Sequence, residues 1–266
     1  MEQISVFLAD WQVLFREGIH FTLSGEEDLV VTGEATSNAE AYDLIMKNPP
    51  QIAIININHD DFSGVNLTLS IRQNLPSVSV VLVMDTDDIN HLYSALKCGA
   101  AACITKDISP EELIDMVRHI AKGDELMSQV LLMPEIANRI IEDFNNFSLM
   151  SSEIYSLLAS LSANEGEILS NISAGHTPGE IASTLGIKDE SITNSLGIIR
   201  QKLETNERSR AIVEASQQIP TSVTESTQSD TSSDEYITRE EFNAFKESLK
   251  EHFRAFTDSY PDFKSE

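Results

Sequence analysis

The sequence is short of cysteine, tryptophan and positive charge. Two cysteines, Cys98 and Cys103, occur in 266 residues. That is too few for a disulfide framework or a cysteine-rich metal cluster. They read as small buried residues beside a core, in a chain suited to reducing cytoplasm. Lys and Arg total 18 against 43 Asp and Glu, a net charge of -25. A dedicated nucleic-acid binder carries a basic footprint, so this acidity confines any such surface to one small face. No run of about 18 apolar residues occurs, which leaves no candidate membrane span. The opening residues, Met1 to Trp11, lack a basic n-region and a small-residue cleavage site, so no signal peptide is expected. The six histidines are scattered, and no nucleophile–base pair or phosphate-cradling glycine loop stands out. No catalytic residue, cofactor or metal site is expected, and the chain reads as a regulator rather than an enzyme.

Residues 1–122 alternate between two patterns. Short β-branched runs recur at Ile4–Leu8, Leu29–Thr32, Ile52–Ile57, Val78–Val83 and Ala101–Ile104. Helical stretches lie between them, such as Asn38–Met46, Val65–Gln73, Ile89–Leu96 and Pro110–Ala121. Five strands alternating with five helices predict an α/β domain with a parallel sheet covered on both faces. In such sheets, sites gather at the carboxyl ends of the strands.

Residues 123–160 read as a connector with one helix, Pro134–Asp143. Residues 161–215 form a small all-helical domain. Within it Thr177, Pro178 and Glu180 supply an N-cap, a first-turn proline and a capping box. Ile181, Ala182 and Leu185 follow at helical spacing, Gly186 ends that helix, and another starts near Asp189. Two helices joined by a tight glycine turn give a helix-turn-helix. Residues 216–234 are dominated by Ser, Thr, Gln, Asp and Glu, with no aromatic and no basic residue, the composition of a flexible linker. Residues 235–266 predict an amphipathic C-terminal helix, with Phe242, Phe245, Leu249, Phe253 and Phe256 as its apolar stripe. That stripe suits docking on the chain's own body, self-association or a protein partner.

Several of these pieces together resemble one family. They are Ala9-Asp10 with Phe15-Arg16-Glu17-Gly18, Gly64 eight residues after Asn56, Ala95–Ala100, and Ile104–Asp107. In the helical domain Glu180-Ile181-Ala182, Leu185-Gly186-Ile187 and Lys202-Leu203 join them. Over residues 3–215 the chain resembles response regulators of the NarL/FixJ class, with a flavodoxin-like receiver followed by a LuxR-type helix-turn-helix domain. The resemblance implies a cytoplasmic, dimeric transcription regulator. It also implies a site where two acids hold Mg²⁺, an aspartate accepts a phosphoryl group, a Ser or Thr bonds it and a lysine neutralises it.

At the matching positions this chain keeps Asp10 and Lys106. Trp11 stands where the second acid belongs, Asn56 where the aspartate belongs, and Met84 where the Ser or Thr belongs. An amide cannot form an acyl phosphate and brings no negative charge to a hard cation. A pseudo-receiver working without aspartyl phosphorylation is therefore expected. Asp60 and Asp61 are the alternative acceptors, and Asp85 is offset by one residue and expected on the other face. Asp10 and Lys106 are expected to keep an ion pair, or Asn56 and Lys106 a hydrogen bond.

The resemblance places the helix after Asp189 in the DNA major groove. Ile192, Leu196 and Ile199 make its buried face, while Ser191, Thr193, Asn194 and Ser195 point outward, where such groups read bases or phosphates. Lys188, Arg200, Lys202 and Arg208 are the candidate phosphate contacts. Across 161–215, however, five basic residues face eight acids, a net of -3. Two functions follow: a DNA-binding regulator strengthened by dimerisation, or an adaptor that keeps the fold and has lost the nucleic-acid surface.

Overall fold

The computed structural model describes residues 3–57, 63–124, 126–147 and 158–217, with side chains to residue 211. Five strands form one parallel sheet: β1 Ile4–Ala9, β2 Leu29–Ala35, β3 Ile52–Asn56, β4 Ser79–Met84 and β5 Ala102–Thr105. Their order is β2-β1-β3-β4-β5. This is the doubly wound flavodoxin-like order, with a crevice where the winding reverses between β1 and β3.

Alternation along the strands sorts the core into two layers. Phe7, Ala9, Ala53, Ile55, Val80 and Leu82 face one layer. That layer is closed by α2 (Asn38–Lys47), α3 (Gly64–Asn74) and α4 (Ile89–Cys98). Val6, Leu8, Ile52, Ile54, Val81 and Val83 face the other, under α1 (Val13–Ser24) and α5 (Pro110–Ala121). Serines cap α2, α3 and α5 at their starts, and α5 has the full Ser109–Glu112 capping box.

Strand β2 runs three residues past the expected Thr32. The polar Thr32-Gly33-Glu34 hides it in sequence. Its fit depends on Gly33, where a Cβ would meet the Phe7 ring at 2.7 Å. Both cysteines are free, Cys98 buried and Cys103 partly so. Burial pushes the Cys98 thiol up to about 12, so it stays protonated near neutral pH.

After α5, a 3₁₀ segment (Leu126–Leu132) leads to α6 (Pro134–Phe147), one turn longer than expected. The helical domain comprises α7 (Ala163–Ser173), α8 (Pro178–Leu185) and α9 (Asp189–Gln217). Helix α9 runs unbroken for 29 residues, straight through Gly197. The buried faces of α7, α8 and α9 join the α2–α4 layer in one continuous apolar cluster. Among the described residues, no helix is long and apolar enough to cross a membrane. The linker, the C-terminal stripe of Phe242, Phe245, Leu249, Phe253 and Phe256, and the Asp60–Asp61 loop lie outside the described residues.

Candidate functional site

Three of the expected pocket residues meet at the carboxyl ends of β1, β3 and β5. Asn56 is the last residue of β3 and Asp10 follows β1. Both are buried, at 2% and 5% exposure. Asn56 Nδ2 donates to Asp10 Oδ2 across 2.8 Å. The Gln12 backbone N–H donates to Asp10 Oδ1 at 2.7 Å. Both carboxylate oxygens thus already accept a hydrogen bond. Gly64 fixes the position of Asn56: its N–H reaches the Ile57 carbonyl at 3.1 Å. A Cβ there would collide with the Asn56 carbonyl and Ile57 Cα.

Lys106 follows β5. Its Nζ lies 3.9 Å from Asp10 Oδ2 and pairs more closely with Asp85 Oδ1, at 2.5 Å. The rings of Phe15 and Trp11 lie 5.6 and 5.8 Å away, within cation–π range. The expected Asp10–Lys106 pair is present and long. Met84 turns into the core at 2% exposure. Asp85 was expected to point away, because strand alternation should send it to the other face. Strand β4 ends at Met84, so alternation no longer governs residue 85. Phe15 was legible only as part of the family pattern; its ring meets the Lys106 ammonium only in the folded chain.

The second candidate surface is the helical pair. Thr177 caps α8 with a complete capping box to Glu180, and the hydrogen bond from the Thr177 backbone holds the Glu180 carboxyl below its usual range. Gly186 closes α8 at φ +67°, a conformation suited to glycine. On α9, Ser191, Thr193 and Asn194 are exposed, Ser195 is half-buried, and Lys188 before it is exposed. Ile192, Leu196 and Ile199 are buried as expected. Asp189 and Glu190 occupy the first turn of α9, the helix end that elsewhere favours phosphate.

The other three candidate cations are engaged inside the protein. Lys202 Nζ pairs with both Glu165 oxygens at 2.9 and 2.7 Å, each side chain 8% exposed. Arg200 donates from Nε to Glu204 at 3.1 Å and from Nη2 to the Ala100 carbonyl at 3.2 Å. Arg208 lies 3.6 Å from Glu204. Glu204 also faces Arg72 of α3 at 3.9 Å, and Lys97 of α4 pairs with Glu207 at 2.8 Å. The rear of α9 is thereby joined to the receiver through α3 and α4, with its Ser191–Asn194 face left outward.

Comparison with known proteins agrees with both halves. Residues 6–118 match the response regulator receiver domain. Residues 159–215 match the bacterial regulatory proteins of the luxR family. The chain is 27% identical to an uncharacterised transcriptional regulatory protein, YxjL, of Bacillus subtilis, covering 80% of this chain and 94% of that one. It is 28% identical to the response regulator protein VraR of Staphylococcus aureus, covering 80% and 97%. Among solved structures, the signal receiver domain of a NarL response regulator from Mycobacterium tuberculosis is 31% identical, with a TM-score of 0.45, covering 46% of this chain and 99% of that one. The chain belongs to the response regulators of the NarL/LuxR class, with a receiver domain and a LuxR-type DNA-binding domain.

Proposed function

We propose that this protein is a DNA-binding transcriptional regulator whose receiver works without aspartyl phosphorylation. The observation that carries the reading is the Asn56–Asp10 hydrogen bond. The acceptor position holds an amide, and that amide binds the carboxylate a metal would need. Mg²⁺ prefers near-octahedral oxygen ligation with at least one or two carboxylates. Here one buried carboxylate is shared by a backbone N–H, an amide and, further off, Lys106. The adjacent residue is Trp11, so this donor set does not fit Mg²⁺. Lys106 instead supplies the positive charge, held between Asp85 and Asp10.

DNA contact would fall to Lys188, Ser191, Thr193, Asn194 and Ser195 at the outer face of α9, and dimerisation would double that surface. Arg200, Lys202 and Arg208 would join them only if their internal partners released them. Treatment with acetyl phosphate and Mg²⁺, read by intact mass, tests the receiver reading: no added phosphate is expected. One stoichiometric phosphate would defeat it, and replacing Asp60 and Asp61 together would show whether either of them carries it. Genome-wide DNA capture with the intact protein tests the other half, with enrichment of discrete fragments expected.

A second reading, an adaptor that has lost DNA binding, draws support from the engagement of Arg200 and Lys202 inside the protein. It predicts no enriched fragment in the same capture experiment.

A further inference from the structure

The seam between α9 and the receiver is positively charged, against the trend of a chain of net charge -25. Three guanidinium groups, Arg72, Arg200 and Arg208, converge on the single carboxylate of Glu204. Only the Arg200 contact is a good hydrogen bond, at 3.1 Å; the others are 3.9 and 3.6 Å. The Nε atoms of Arg72 and Arg208 are buried and have no hydrogen-bond partner among the described residues. A buried donor without a partner is costly, more so on a charged group. Burial and the nearness of Arg72 both hold the Arg208 guanidinium below its usual pKa, outweighing the pull of Glu204.

Beside this cluster lies a cavity of about 150 Å³. Its walls include Arg72, Arg200, Ser79 and Asp124, with Gly99 and Ala101 between them. The Asp124 carboxylate is held by His119 Nδ1 at 2.6 Å. Gly99 keeps φ +82°, and a Cβ there would lie 2.9 Å from the Glu204 carboxylate. The cavity wall therefore carries two of the guanidinium groups, Arg72 and Arg200, and one acid, Asp124, while Glu204 packs against Gly99 of the wall.

We propose that this cavity is a binding site for a tetrahedral oxyanion, phosphate free or as a phosphomonoester. Guanidinium forks match such oxygens in pairs, and an anion would neutralise the surplus charge that Glu204 leaves. The site is distinct from the strand-end pocket at Asp10 and is independent of how the receiver is controlled. Because Glu204 and the anion share the same arginines, Glu204 is a competitor for the ligand.

Isothermal titration calorimetry of the full chain with inorganic phosphate, at constant ionic strength, is the test. Saturable one-to-one binding is expected. Arg72→Gln should weaken it by about tenfold or more, the loss of one charge-assisted pair. Glu204→Gln should tighten it, a sign that a general loss of folding cannot mimic. If Arg72→Gln unfolds, Arg72→Lys, which keeps the charge and loses the fork, should still bind more weakly than the parent. Glycerol phosphate in place of phosphate distinguishes the two sources: tighter binding assigns a phosphomonoester, equal or weaker binding a free ion. Absence of saturable heat, an affinity unchanged by the Arg72 variants, or weakening by Glu204→Gln overturns the proposal.

Discussion

Asn56 and Asp10 form a buried amide–carboxylate pair, 2.8 Å apart, at the ends of neighbouring strands. In a phosphorylatable receiver two carboxylates would stand at these positions and repel each other until a cation joined them. Here the amide donates to the carboxylate and the pair is satisfied without a metal. The pair therefore needs no cation to hold it, and Asn56→Asp should expose that. A second buried carboxylate beside Asp10, with Lys106 3.9 Å off, should destabilise the fold by about 1–3 kcal/mol at pH 7. Thermal unfolding measures it; a variant as stable as the parent without added Mg²⁺ would show that the pair is not what holds the pocket.

Lys202 and Glu165 should behave as a structural pair. Each is about nine-tenths buried, and removing one partner of a buried pair costs about 3–5 kcal/mol. Lys202→Ala should thus lower stability by that order in urea unfolding. Lys202→Met with Glu165→Leu should recover part of it, since Glu165 also accepts from the Ser162 backbone N–H in the capping box of α7. A near-neutral Lys202→Ala would instead mark Lys202 as a surface cation available to phosphate.

Glu34 is one contributor to the acid limb of the stability profile. Desolvation raises its pKa, but hydrogen bonds from His20 and Arg16 outweigh this and leave it below the usual 4.5. A depressed folded pKa stabilises the protein above the unfolded value, and the contribution is lost as pH falls through the folded one. Glu34→Gln should therefore be less stable than the parent at pH 7, and the difference should shrink steadily below the usual 4.5. A difference that stays constant from neutral to acid pH would contradict the assignment.

Gly99 sits where backbone and interface demands coincide. Gly99→Ala must hold a left-handed conformation and displace the Glu204 carboxylate. About 1–3 kcal/mol of destabilisation is expected. Gly123, also left-handed but with open space around it, is the control, and its alanine variant should cost less.

Helix α1 carries Leu14 at 89% and Phe21 at 83% exposure. One helical turn apart from Gly18 on either side, they form an outward stripe that suits the proposed homodimer. Leu14→Arg with Phe21→Arg should leave the unfolding temperature nearly unchanged and shift the mass by light scattering toward a monomer. An unchanged mass would place self-association elsewhere.

The sequence alone determined the alternating α/β architecture, the capping box at Thr177 and the glycine-closed helix pair, because periodicity and cap chemistry are local properties. It also determined the amide at position 56, since Gly64 indexes it and the close approach of Gly64 to the end of β3 explains that spacing. Strand β2 continues past Thr32 only in the fold, because the polar Thr32-Gly33-Glu34 gains its place from Phe7 on the neighbouring strand. Tertiary structure alone decided what the charged groups do. Lys106 chose Asp85 because β4 had already ended at Met84. Lys202 chose Glu165, 37 residues away, and Arg200 chose the Ala100 carbonyl, 100 residues away. The reach of a long side chain has no period in sequence, and which partner it finds depends on where folding has brought the other elements.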